Sequence, residues 1–103
     1  MWQSIEVHFD NFHPTAAGHF PANPIIPGAL LLDEIVSAIS GTIDHASKIV
    51  IWSAKFFRPV RPGESVSVQW RFVGDGLFKF ECRGNPEDIL VTSGMIEING
   101  KPE

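Results

Sequence analysis

The chain has a single cysteine, Cys82, which rules out an intrachain disulfide and with it a small disulfide-stapled secreted fold. A reducing cytoplasm is the expected setting. Basic residues are few: eight Lys and Arg against twelve Asp and Glu give a formal charge of -4 and a pI near 5.5. There is no basic run and no interleaving of basic with aromatic residues, so neither nucleic acid nor an anionic membrane is expected as a partner. No apolar stretch is long enough to span a bilayer; the longest, Ile25 to Leu32, is broken by Pro27 and Gly28. Met1-Trp2-Gln3-Ser4-Ile5-Glu6 has neither the basic start nor the apolar run of a signal peptide, which predicts a soluble protein without membrane insertion. Repeats, low-complexity tracts and linkers are also missing. A length of 103 residues leaves little room for a second core, so residues 1–103 are expected to form one domain.

What is abundant is apolar and aromatic: 44% hydrophobic residues, eight Phe and three Trp. Part of that surface is expected to close an oligomer interface. Ile5-Glu6-Val7-His8-Phe9 alternates and predicts a strand with Ile5, Val7 and Phe9 on one face. From Pro27 to about Ser40 a helix is expected, ended by Gly41, with Leu31, Leu32, Ile35, Ala38 and Ile39 on one arc and Asp33, Ser37 and Ser40 opposite. Lys48 to Phe57 is rich in Ile, Val, Trp and Phe and predicts a strand, broken by Pro59, Pro62 and Gly63. Ser65 to Phe72 alternates strictly and directs Val66, Val68, Trp70 and Phe72 inward. Gly74-Asp75-Gly76 signals a hairpin into Leu77–Cys82, and Asn85-Pro86-Glu87-Asp88 a further turn into a strand from Ile89 to Ile98. Gly94 inside that last strand marks a bulge or a close approach. A strand, one helix and an antiparallel meander of about four strands make an α+β pattern, a curved sheet wrapped around a central helix.

The most informative span is Gly18-His19-Phe20-Pro21-Ala22-Asn23-Pro24-Ile25-Ile26-Pro27-Gly28-Ala29-Leu30-Leu31-Leu32-Asp33-Glu34. Pro21, Pro24 and Pro27 stiffen the connection and present the imidazole of His19 from an extended loop. Pro27 suits the first turn of a helix, where its missing N–H is no loss. The amide of Gly28 and its neighbours are then unpaired at the positive end of the helix, available to an oxygen that carries negative charge, such as that of an enolate. His8, His13 and His45 lack metal-ligand spacing and read as surface or packing residues, His13 being the one that could lie near the site. Cys82, in an alternating strand, reads as core.

That span resembles the signature of the hot-dog-fold 3-hydroxyacyl-(acyl-carrier-protein) dehydratases of the FabA/FabZ type: a Gly-His-Phe loop, Pro-Gly at the helix start and an acid five residues on. Lys55-Phe56-Phe57-Arg58-Pro59-Val60-Arg61-Pro62-Gly63-Glu64 resembles the family's Lys-Phe-x-Arg-Pro-Val-x-Pro-Gly-Asp stretch. Small dehydratase-like members found with aryl polyene biosynthesis are a closer comparison for a chain this short. The resemblance implies a hot-dog fold and removal of water from 3-hydroxyacyl thioesters on acyl carrier protein. It implies His19 and Asp33 as catalytic residues, Gly28 as donor to the thioester carbonyl, and Phe20, Pro27 and Ala29 as substrate-binding neighbours, with no cofactor and no metal. It also implies a homodimer whose sites combine His and acid from different protomers, with a higher oligomer or a heterodimer left open.

In that chemistry His19 takes the C2 proton. Asp33, its acid form favoured by desolvation on a largely apolar helix, protonates the departing hydroxyl. The Gly28 amide binds the developing oxyanion. The chain departs from the family where acid-Ala-x-x-Gln becomes Asp33-Glu34-Ile35-Val36-Ser37, and Glu34 is open to three readings: solvated, paired with Arg58 or Arg61, or a second acid. Lys55, Arg58 and Arg61 form a candidate basic patch for the acidic carrier. Two alternatives remain: a thioesterase on the same fold, and a non-catalytic acyl-binding or dimerisation module.

Overall fold

The computed structural model describes residues 1–10 and 25–102; His13, His19 and Phe20 lie outside the described residues. Among the described residues five strands form, β1 (Gln3–His8), β2 (Ile43–Phe56), β3 (Ser65–Gly74), β4 (Leu77–Gly84) and β5 (Ile89–Pro102), with one helix, α1 (Gly28–Ser40), between the first two. All pairings are antiparallel, in the order β1-β3-β4-β5-β2. This is the α+β hot-dog arrangement, a sheet with one helix laid on it. The meander expected over the last four strands holds only for β3, β4 and β5. β2 pairs instead with β5 at the far edge, because the break at Pro59–Gly63 makes no hairpin and carries the chain back to β1. There Phe9 N–H donates to Glu64 O at 3.0 Å and Gly63 N–H to Phe9 O at 2.5 Å.

Alternation decides which side of the sheet is dry. Val66, Val68 and Trp70 of β3, Phe78, Phe80 and Cys82 of β4, and Ile96 and Ile98 of β5 are buried in one cluster with Leu31, Ile35 and Ile39 of α1. Leu32 and Ala38, expected on the same helical arc, are partly buried against it. The opposite face carries polar side chains, among them Arg83 and Glu81 paired at 3.0 Å, as suits an antiparallel sheet with one solvated side. One inward assignment fails. Phe72 is 51% exposed at the turn end of β3, beyond the core cluster, where its ring leans on Phe78 at 5.2 Å. Ile5 is 46% exposed because β1 is an edge strand, whereas Phe9 beyond it is buried. Alternation gives the face, but not how far the helix covers it.

The polar groups of the core are mostly satisfied. Thr92, fully buried, donates its hydroxyl to Lys55 O at 2.5 Å. Trp70 Nε1 is buried without an acceptor, at a cost of about 1–3 kcal/mol. Burial pushes the Cys82 thiol up to about 12, so it stays a neutral core residue. Gly74, Asp75 and Gly76 all take positive φ in the predicted hairpin turn. No helix among the described residues is long and apolar enough to cross a membrane.

Gly94 is a close approach. A Cβ there would collide with Ser53 O of β2 and stand 2.7 Å from Phe80 Cζ. The β2 ladder is irregular beside it: Ile51 faces Ile96 and Ser53 faces Met95, leaving Trp52 as the extra residue. Its indole donates to Glu97 Oε1 at 3.0 Å. Gly94→Ala is expected to destabilise the fold by about 1–3 kcal/mol, read as a lower urea midpoint with an unchanged slope.

Candidate active site

The helix start is built from Pro27 and Gly28. Pro27 has φ -58 and ψ 142, so it is the extended residue before α1 and not its first helical residue as expected; Gly28 opens the helix. No side chain caps this end and no acidic residue lies in the first turn. Leu31 N–H reaches Pro27 O at 3.1 Å, which leaves the amides of Gly28, Ala29 and Leu30 without intrahelical acceptors. Gly28 and Ala29 are exposed and Pro27 is half-buried.

The two motifs, separated by twenty residues along the chain, meet at this point. Ile26 N–H donates to Val60 O at 2.7 Å, an antiparallel bridge outside the main sheet. Phe57 N–H donates to Val91 O at 2.7 Å just after β2 ends. Together they set residues 56–60 against the helix start and enclose a groove of about 310 Å³ along Ile25, Ile26, Gly28, Leu31, Phe56 and Phe57. Two ring carbons of Phe56 lie 3.5 Å from where a Gly28 Cβ would stand. Arg58 is the charged side chain among the described lining residues. An apolar groove with free amides at one end strengthens any hydrogen bond to a carbonyl oxygen that gains charge.

Asp33 lies elsewhere. It is exposed on the outward side of α1 with Ala29 and Ser37, opposite the buried stripe of Leu31, Ile35 and Ile39. Five residues of helix put it about 140° around and about 7.5 Å along from Gly28. The described residues of one chain therefore do not bring Asp33 into the groove at Gly28, and they leave it exposed. Glu34 is half-buried, and the ion pair found among the described residues is Arg83 with Glu81. Among the described residues no group of His, Cys, Asp and Glu is arranged to hold a metal ion. His8 is exposed, with Nδ1 2.8 Å from Ser65 Oγ, and His45 is exposed on β2.

Sequence reasoning missed Phe56 and Phe57 as groove walls. Their signal was present in an aromatic pair placed directly before Arg-Pro-Val, but assigning it to the helix start required the Ile26–Val60 bridge.

A curved antiparallel sheet around one helix, with an uncapped Pro-Gly helix start opening on an apolar groove, defines a hot-dog protein. Residues 3–94 match the ApeI-like family of ApeI dehydratases, and the chain belongs to that family. It is 38% identical over 88 residues to a 3-hydroxyacyl-(acyl-carrier-protein) dehydratase FabZ of Chloroflexus aggregans, a match that takes in 75% of this chain and 60% of that protein. The chain thus spans between half and two thirds of the length of these curated relatives, 52% in the case of the Wolbachia pipientis FabZ. Among solved structures it is similar to the dehydratase heterocomplex ApeI:P from Xenorhabdus doucetiae, with TM-score 0.73, 20% identity and coverage of 94% and 86% of the two chains. It is also similar to the R-hydratase PhaJ1 of Pseudomonas aeruginosa, with TM-score 0.70, 17% identity and coverage of 100% and 81%. At these identities the structural likeness speaks for the fold.

Proposed function

We propose that the protein dehydrates 3-hydroxyacyl thioesters borne on acyl carrier protein to trans-2-enoyl thioesters, in fatty acid or aryl polyene biosynthesis. The observation that carries this reading is the uncapped start of α1 at Gly28 opening on an apolar groove. Membership of the ApeI-like dehydratase family supports it. The thioester carbonyl oxygen accepts from the Gly28 amide, which withdraws electron density and acidifies C2. His19 removes the C2 proton. The electron pair moves into the C2–C3 bond, and the C3 hydroxyl leaves as water with a proton from Asp33. Phe20, Pro27 and Ala29 flank the acyl thioester.

The outward position of Asp33 supports a site shared between two chains. So does β2, an edge strand that among the described residues pairs with β5 alone and exposes Ile49, Ile51, Trp52 and Phe56 at 42 to 63%. Its unpaired backbone and apolar side chains are suited to a second copy joined edge to edge. Such a homodimer would extend the sheet, lay the two helices on one side and desolvate Asp33.

Hydration of a trans-2-enoyl thioester, followed as loss of enoyl absorbance, is expected without thiol release. His19→Ala and Asp33→Asn should each lower the rate about 10²–10⁴-fold. Thiol release would identify a thioesterase instead, and a folded dimer with no turnover of carrier-borne substrate would overturn the proposal. Gly28→Pro deletes the amide while keeping the helix, because proline suits a first helical residue and Pro27 already has the extended ψ that must precede it. We expect native far-UV circular dichroism with kcat reduced about 10²–10³-fold. Ile51→Lys should convert the dimer to monomer by sedimentation velocity and abolish turnover; an active monomer would refute the shared site.

A further inference from the structure

We propose that Thr92 is a positioning residue: its buried hydroxyl fixes the exit of β2 and, through Phe56 and Phe57, sets the apolar wall beside the Gly28 amide. The catalytic consequence rests on the dehydration reading above. Among the described residues Thr92 is the polar side chain that is fully buried, next to a core of aliphatic, aromatic and thiol groups. Packing alone would be served by valine, which has nearly the same shape and no hydroxyl to desolvate. The hydroxyl has a definite partner instead. It donates at 2.5 Å to Lys55 O, the carbonyl directly before Phe56.

The sheet is irregular at the same place. Cys82 faces Thr92 and Arg83 faces Leu90, so Val91 is an extra residue in β5, and a bulge of this kind bends its strand and re-aims the groups on it. The Val91 carbonyl accepts from Phe57 N–H at 2.7 Å, one residue past the end of β2. Lys55 and Phe57 are therefore both tied to the Val91–Thr92 step, one by a side-chain hydroxyl and the other by a backbone carbonyl. Phe56, between them, faces Thr92 in the β2–β5 register, and its ring stands 3.5 Å from where a Gly28 Cβ would be. Thr92 and Val91 fix this wall to the sheet, and the Ile26–Val60 bridge brings the helix start to it. A wall that shifts admits water beside the amide, which weakens a hydrogen bond that matters most when the carbonyl oxygen gains charge.

Thr92→Val deletes the hydroxyl and keeps the shape, whereas Thr92→Ser keeps the hydroxyl and deletes a methyl group. Were Thr92 a packing residue, valine would be the milder change. We expect the reverse in hydration of a trans-2-enoyl thioester: T92V lowers kcat about tenfold with KM within about twofold, and T92S stays within about twofold of wild type in both. Thr92→Ala against T92S repeats the hydroxyl comparison at smaller volume and decides the matter if T92V does not fold. A loss in T92S as large as in T92V or T92A, or a wild-type kcat in the variants without the hydroxyl, overturns the proposal. Amide hydrogen exchange tests the positioning apart from the reaction. Protection of the Phe57 amide should fall about tenfold in T92V and not in T92S, while Phe80 and Ile96 on the interior strands keep theirs. Unchanged protection at Phe57, or an equal fall at all three amides, refutes a positioning role. A wild type without turnover counts against the dehydration reading, and the exchange comparison alone then decides whether Thr92 holds the wall.

Discussion

The hydrogen bond from Ile26 N–H to Val60 O, 2.7 Å long, is the contact on which the arrangement around Gly28 depends. It lies outside the five-stranded ladder, yet it ties the approach to α1 to the segment that follows β2. Without it nothing would hold Phe56 and Phe57 beside the amides at the helix start, and a hydrogen bond made next to apolar walls is stronger than one in open water. With it, Phe56 is brought against Gly28 and Arg58 to the groove's margin. A Cβ at position 28 would meet that ring at 3.5 Å, an ordinary van der Waals contact.

The sheet supplies the rigidity this contact needs. Its dry face is continuous from Val66 and Val68 through Phe80 to Ile96 and Ile98, and α1 lies on it through Leu31, Ile35 and Ile39. The position of Gly28 is thus fixed by residues several turns away along the helix. Gly94 serves the same end on the other side, since its missing side chain lets β2 and the Phe80 ring close together near the end of the strand that carries Phe56. The edges of the sheet differ in character: β1 ends in the buried anchor Phe9, whereas β2 keeps a row of exposed apolar side chains.

Much of this was legible in order along the chain. The helix, its end at Gly41, the hairpin at Gly74–Gly76, the buried thiol of Cys82 and the close approach at Gly94 each follow from a local rule of periodicity or backbone freedom, and the structure has them where those rules put them. The errors also have physical causes. Phe72 obeys the alternation of its strand but lies past the helix's cover, and Pro27 stops one residue short of the helix because its ψ is extended. The place of β2 beside β5 was not legible, since strand order depends on which edges meet after collapse and not on any spacing within a strand.

By itself, the sequence determined the elements, the two motifs with their family register, and the residue types that the proposed dehydration would use, because these are set by short-range sterics and by chemistry carried on single side chains. Only the tertiary structure decided that the two motifs share one groove, that Phe56 and Arg58 belong to it, and that Asp33 points away from the Gly28 of its own chain. Those facts depend on a long-range backbone bridge and on the rotation of a helix about its axis once one stripe is buried, and neither is a property of local sequence.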